Sequence, residues 1–135
     1  MLADLRREGG QPDGASSKAH ARTAVAVAVT PTGRIGIDIE YRAPDRPVRD
    51  IARLLMNETP ADDAAAYRVF TFHEAWFKAF GEMAGAERLR AVAGLDAPLH
   101  RMADGVNVLH EAINADFILT LVWDGAVDAV RLAAD

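Results

Sequence analysis

The sequence predicts an α+β fold in which an antiparallel sheet packs against one long helix, and three observations lead there. Residues 23–29 read Thr-Ala-Val-Ala-Val-Ala-Val, alternating small and β-branched side chains as a strand packed on both faces would. Residues 61–80 contain neither proline nor glycine and are rich in alanine and aromatics, which describes a long helix closed by Gly81. The C-terminal third returns to strand chemistry, with residues 106–109, Phe-Ile-Leu-Thr-Leu-Val-Trp at 117–123, and residues 126–132 after the turn at Asp124-Gly125.

Taken in order, residues 1–19 are polar and rich in Gly, Ser, Asp and Arg, which reads as a flexible lead-in to a single domain over residues 20–135. The strand at 23–29 meets turn chemistry in Pro31-Thr32-Gly33 and returns as a second strand over 34–41, so a β-hairpin is expected over residues 23–40. Alternation in the second strand sends Ile35, Ile37 and Ile39 to one face, and Asp38 and Glu40 to the other. The acidic pair is therefore expected away from the core. Pro44 and Pro47 make residues 42–47 a loop. A helix follows from Pro47, with Ile51, Leu54 and Leu55 at helical spacing, and Asn57-Glu58-Thr59-Pro60 ends it. Thr59 is the expected cap of the long helix. Along that helix Thr71, Glu74 and Lys78 form one narrow polar stripe, while Phe70, Phe72, Ala75, Trp76, Phe77, Ala79 and Phe80 cover most of the remaining circumference.

Composition bounds the chemistry. With 135 residues the chain supports one buried core. At 50% hydrophobic and 26% charged residues it matches ordinary globular usage, without the bias of a disordered chain. No apolar run approaches the roughly 20 residues of a spanning helix and no signal-peptide core is visible, so a cytoplasmic chain without a membrane partner is expected. The absence of cysteine excludes disulfides, thiolate metal sites and thiol nucleophiles. A formal net charge of −5 argues against a general nucleic-acid binder but leaves room for a local basic site for a phosphate.

Asp38 and Glu40, side by side on one strand face, form a donor pair for a hard divalent cation such as Mg²⁺, with Glu74 the candidate third oxygen ligand. Two ordinary readings stand beside this one. Acidic residues on a hairpin can be solvated surface, and Glu74 and Lys78, one turn apart, can form an exposed ion pair worth about 0.3–0.5 kcal/mol. The aromatic surroundings of the stripe favour a site wall, because an unpaired charge among apolar groups is costly. His20 reads as a loop histidine and His73 as a packed one, while His100 and His110 carry no usable signal.

Gly36-Ile37-Asp38-Ile39-Glu40 resembles the Gly-(Ile/Val)-Asp-(Ile/Val)-Glu motif of 4′-phosphopantetheinyl transferases. Residues 70–81 resemble their (Trp/Phe)-x-x-Lys-Glu-Ala-x-x-Lys-x-x-Gly motif, with Glu74, Ala75, Lys78 and Gly81 in register. Ser17-Lys18-Ala19-His20 is similar to the Ser-x-Ser-His segment that precedes the first motif in the surfactin-synthetase-activating type. The resemblance spans roughly His20 to Gly81. It implies that Asp38, Glu40 and Glu74 bind Mg²⁺ with the diphosphate of coenzyme A, that Lys78 contacts the phosphates, and that Ser17, His20 and His73 line the coenzyme A site. It further implies transfer of the phosphopantetheine arm to a serine of an acyl or peptidyl carrier protein, with Glu74 and Lys78 as the catalytic pair.

The chain departs from the pattern in three ways: His73 stands for the motif's first lysine, Ala19 for the second serine, and the length matches one half of the two-halved surfactin-activating type. The shorter bacterial holo-acyl-carrier-protein synthases are of this size and place their sites between subunits, so a homo-oligomer, trimer or dimer, is expected. A non-catalytic module binding coenzyme A or a carrier protein, or a domain of a larger synthase, is the alternative.

Overall fold

The computed structural model describes residues 15–95, 97–125 and 129–134. It begins with β1 (Ala15–Ala21), which pairs antiparallel with β2 (Ala24–Thr30) so that Ala19 lies opposite Ala26 and His20 opposite Val25. Residues 15–19, assigned from sequence to the lead-in, thus belong to a strand. Its Ala-Ser-Ser-Lys-Ala-His-Ala sequence has no β-branched residue, so pairing with β2 holds it in place, and intrinsic preference does not.

β3 (Ile35–Tyr41) follows, and here the expected hairpin is replaced by a crossover between two sheets. Pro31 lacks an N–H and Gly33 takes a φ of 81°, so residues 31–34 turn the chain out of the first sheet. The Arg34 N–H then donates to Asp124 Oδ1 at 2.7 Å, and a side chain on Gly33 would run into that carboxylate. A hairpin and a sheet-to-sheet corner use the same local turn residues; here the partner strands decide between them.

The helices are α1 (Val48–Met56), α2 (Asp63–Phe80) and α3 (Ala86–Ala93). Pro47 stands at the N-cap of α1, as its fixed φ suits. Asp62, not Thr59, caps α2: its carboxylate accepts from the Ala65 N–H at 2.8 Å. Gly81 closes α2 in a left-handed conformation, its N–H donating to Phe77 O. The remaining strands are β4 (Leu99–Arg101), β5 (Asn107–Ile113), β6 (Phe117–Trp123) and β7 (Ala129–Ala134).

The strands form two antiparallel sheets, β1-β2-β7 and β3-β6-β5-β4. Between them Ala19, Ala24, Ala26 and Ala28 meet Ile35, Ile37, Ile39, Leu119 and Leu121, the small residues of one sheet admitting the large residues of the other. A second core lies on the opposite face of the four-stranded sheet, where Val108, Ile118 and Val122 pack against Val69, Phe72 and Trp76 of α2. The fold is therefore three layers deep, sheet on sheet on helix. Strand β3 lies where these layers meet, with its isoleucines turned to the sheet–sheet core and Gly36 and Asp38 turned to α2. A side chain on Gly36 would stand 1.9 Å from the Ala75 carbonyl, so the helix rests on bare backbone at that point. Among the described residues no helix is long and apolar enough to cross a membrane.

Candidate functional site

The close approach of α2 to β3 builds the site. Because Gly36 lets the helix in, the strand face expected to be solvated is covered, and Asp38 is only 6% exposed. The carboxylate pair keeps its common face, but Asp38 is buried instead of standing in water. Lys78, on the last turn of α2, reaches over the seam between the two sheets. Its Nζ donates to Ile37 O at 2.9 Å and to Lys18 O at 3.2 Å, and stands 3.5 Å from Asp38 Oδ1. One ammonium thus ties the β3 edge to β1. Ser17 completes the seam, its hydroxyl oxygen accepting the Ile37 N–H at 3.0 Å.

The charges around Asp38 do not balance. Its Oδ2 is buried without a hydrogen-bond partner. Burial raises its pKa most, the Glu40 carboxylate within proton-sharing reach raises it further, Lys78 pulls the other way, and Glu74 adds repulsion; the result is a group pushed up to about 8. The ordinary i,i+4 pair that the spacing of Glu74 and Lys78 allows is not formed, because Lys78 turns to β3, and half-buried Glu74 has no ion pair among the described residues.

Glu40 is instead bound by Arg46, Nη1 to Oε1 at 2.7 Å, from the proline-flanked loop after β3. Beside this pair a pocket of about 430 Å³ is lined by His20, Arg22, Glu40, Tyr41, Asp45 and Arg46, among others. The guanidinium of Arg22 lies 3.8 Å from the Tyr41 ring centroid on one wall. Since Ala21 ends β1, Arg22 follows it in the turn, and Glu40 and Tyr41 end β3, the pocket opens between the two sheets, at the end away from the crossover at residues 31–34.

Of the residues singled out from sequence, Ser17, Asp38, Glu40 and Lys78 are brought together and exposed His20 shares the pocket with Glu40. His73 is half-buried on α2 with its Nδ1 unpartnered. Among the described residues no three His, Asp or Glu side chains converge on one point as a metal site would require, so Glu74 does not join the pair as a ligand in this arrangement. The donor chemistry nevertheless fits a hard cation: two neighbouring carboxylates, one with an unpartnered buried oxygen and a raised pKa, are what a divalent ion would relieve.

Sequence reading missed Arg22 and Arg46, which sit in turns without periodicity. It also missed the buried chain in which Thr71 Oγ1 bonds Thr120 Oγ1 at 2.7 Å and Thr120 Oγ1 bonds His110 Nδ1 at 2.8 Å. The β5–β6 register sets His110 opposite Thr120, and the packing of α2 on the sheet brings Thr71 to them. No family model matches the chain, and no curated protein matches it.

Proposed function

We propose that the chain is a Mg²⁺-dependent 4′-phosphopantetheinyl transferase, moving the phosphopantetheine arm of coenzyme A to a serine of an acyl or peptidyl carrier protein. The observation that carries this reading is the carboxylate pair: Asp38, buried beside Glu40 with one oxygen unpartnered, has Lys78 as its single ion-pair partner among the described residues, while Glu40 is held by Arg46. Beside the motif resemblance, this is the charge pattern expected of a site that receives a cation and a phosphate.

Asp38 and Glu40 would hold the Mg²⁺, which supplies charge neutralisation for the diphosphate. Glu74 lacks an ion-pair partner among the described residues and would take the proton of the attacking serine hydroxyl, directly or through a water. The serine oxygen forms a bond to the β-phosphorus as the bond to the bridging oxygen breaks, and adenosine 3′,5′-bisphosphate leaves. Lys78, anchored by two backbone carbonyls, keeps an ammonium beside the phosphates as negative charge develops on the leaving group. His20 and His73 supply imidazole donors, His20 from the pocket wall. A second subunit would complete the coenzyme A site, making the working form a homo-oligomer. One observation favours the rival reading of a non-catalytic module: Glu74 does not converge with Asp38 and Glu40.

Intact-mass spectrometry of an apo carrier protein incubated with the chain, coenzyme A and Mg²⁺ decides between them. The expected outcome is a gain of one phosphopantetheine arm, lost with Glu74→Gln. No gain across several carrier proteins from a folded sample would refute the transferase.

A further inference from the structure

Arg46 stands where a cation of the site would act. Its guanidinium meets Glu40 at 2.7 Å and lies 5.1 Å from the Phe70 ring centroid, so an aromatic face of α2 supports the charged group beside the carboxylate. The backbone there is fixed independently, with the Arg46 N–H donating to Ala43 O at 3.2 Å and Arg46 O accepting from the Val48 N–H at 2.8 Å. The side chain can therefore leave Glu40 by rotation alone, without unfolding the loop. The space beside it is the pocket that also holds His20, Arg22 and Asp45.

We infer that Arg46 is the resident counter-ion of Glu40, a positioning residue that holds this carboxylate until a divalent cation displaces it and that then turns its guanidinium into the pocket beside His20 and Arg22. The inference rests on the transferase reading of the carboxylate pair. Its physical basis is competition: Glu40 Oε1 cannot keep a charge-assisted hydrogen bond to Arg46 and also coordinate a hard ion fully, so metal affinity is lowered by the strength of the pair. Once displaced, the guanidinium places a second guanidinium beside that of Arg22 and the His20 imidazole, where an anionic ligand of the metal would be met.

The test is Mn²⁺ binding to the purified chain without nucleotide or carrier protein, followed by the paramagnetic resonance of free Mn²⁺. Arg46→Gln is expected to bind Mn²⁺ about 3–10-fold more tightly than the unaltered chain, the range a partly buried ion pair would give. Arg46→Lys, which keeps the charge but not the fork geometry, should fall between the two. A general field effect of removing one positive charge would act whatever residue occupies position 40, whereas competition requires the carboxylate. In a Glu40→Gln background, Arg46→Gln is therefore expected to change the affinity less than about 2-fold, on the scale of a screened surface charge. An equal gain in both backgrounds, or no gain in either, would overturn the counter-ion role. If the unaltered chain binds Mn²⁺ and Asp38→Asn abolishes that binding while Arg46→Gln is neutral, this inference falls and the metal reading stands; if no variant binds Mn²⁺, both fall.

Discussion

Asp38 and His110 are buried on opposite sides of the protonation question. Asp38 is raised from 3.8 to about 8, chiefly by burial and the neighbouring Glu40, so the native state holds a proton that the unfolded chain gives up near pH 4. Its contribution to stability is present below pH 4 and lost as pH rises through 8. His110 is lowered from 6.5 to about 4 by burial and the Arg68 charge, so the native state keeps it neutral. That contribution is present above pH 6.5 and lost as pH falls through 4. Between pH 4 and 6.5 the two slopes oppose each other; above 6.5 that of Asp38 remains alone. The thermal midpoint of the metal-free protein is thus expected to fall between pH 6.5 and 8, and Asp38→Asn to flatten that fall. The same slope in the Asn variant would assign it to another group. The sequence placed Asp38 and Glu40 on a shared strand face because a two-residue period is local information. It could not reveal that Asp38 is buried, since that depends on a helix some 40 residues further on, nor that Thr71, Thr120 and His110 join.

At the scale of elements, Gly36 fixes the distance between α2 and β3. Gly36→Ala puts a methyl group where the Ala75 carbonyl lies, and backbone cannot yield as a flexible side chain would. The expected cost is about 1–3 kcal/mol or more in urea unfolding, as overpacking gives. Lys78 should also lose its reach to Ile37 O and Asp38, so metal affinity is expected to fall with stability; full retention of both would show that the contact is not tight. The long helix, its Gly81 terminus, the first helix, and the strands β2, β3 and β6 were legible because each carries its own period and its own punctuation. The hairpin was not, because which strand takes up the ladder of β3 is settled by β6, whose Leu119 lies opposite Ile39 from far along the chain. α3 and β4 escaped notice for a simpler reason: eight residues with Leu89 and Val92 buried, and three residues of strand, are too short for a period to declare itself.

For the whole molecule, the proposed transferase reading carries the expectation that a second copy completes the coenzyme A site. Phe77, half exposed on α2, and Met83, 61% exposed just beyond the helix, leave apolar side chains in solvent near its C-terminal end. Transferase activity per chain is accordingly expected to fall on dilution, in step with dissociation followed by light scattering; a fully active monomer would rule the arrangement out. The two sheets add a mechanical feature. Residues 31–34 and Asp124-Gly125 are clasped to each other at one end, while the pocket of His20, Arg22, Glu40 and Arg46 opens between the strand ends opposite. A clasp at one end and a mouth at the other make each sheet a lever: over a seven-residue strand of roughly 20 Å, a tilt of about 5° about the clasp opens or narrows the mouth by roughly 2 Å. Any such tilt would work against the bonds of Lys78 and Ser17 that bridge β1 and β3 midway, so those two side chains and the distant clasp together set the width of the mouth.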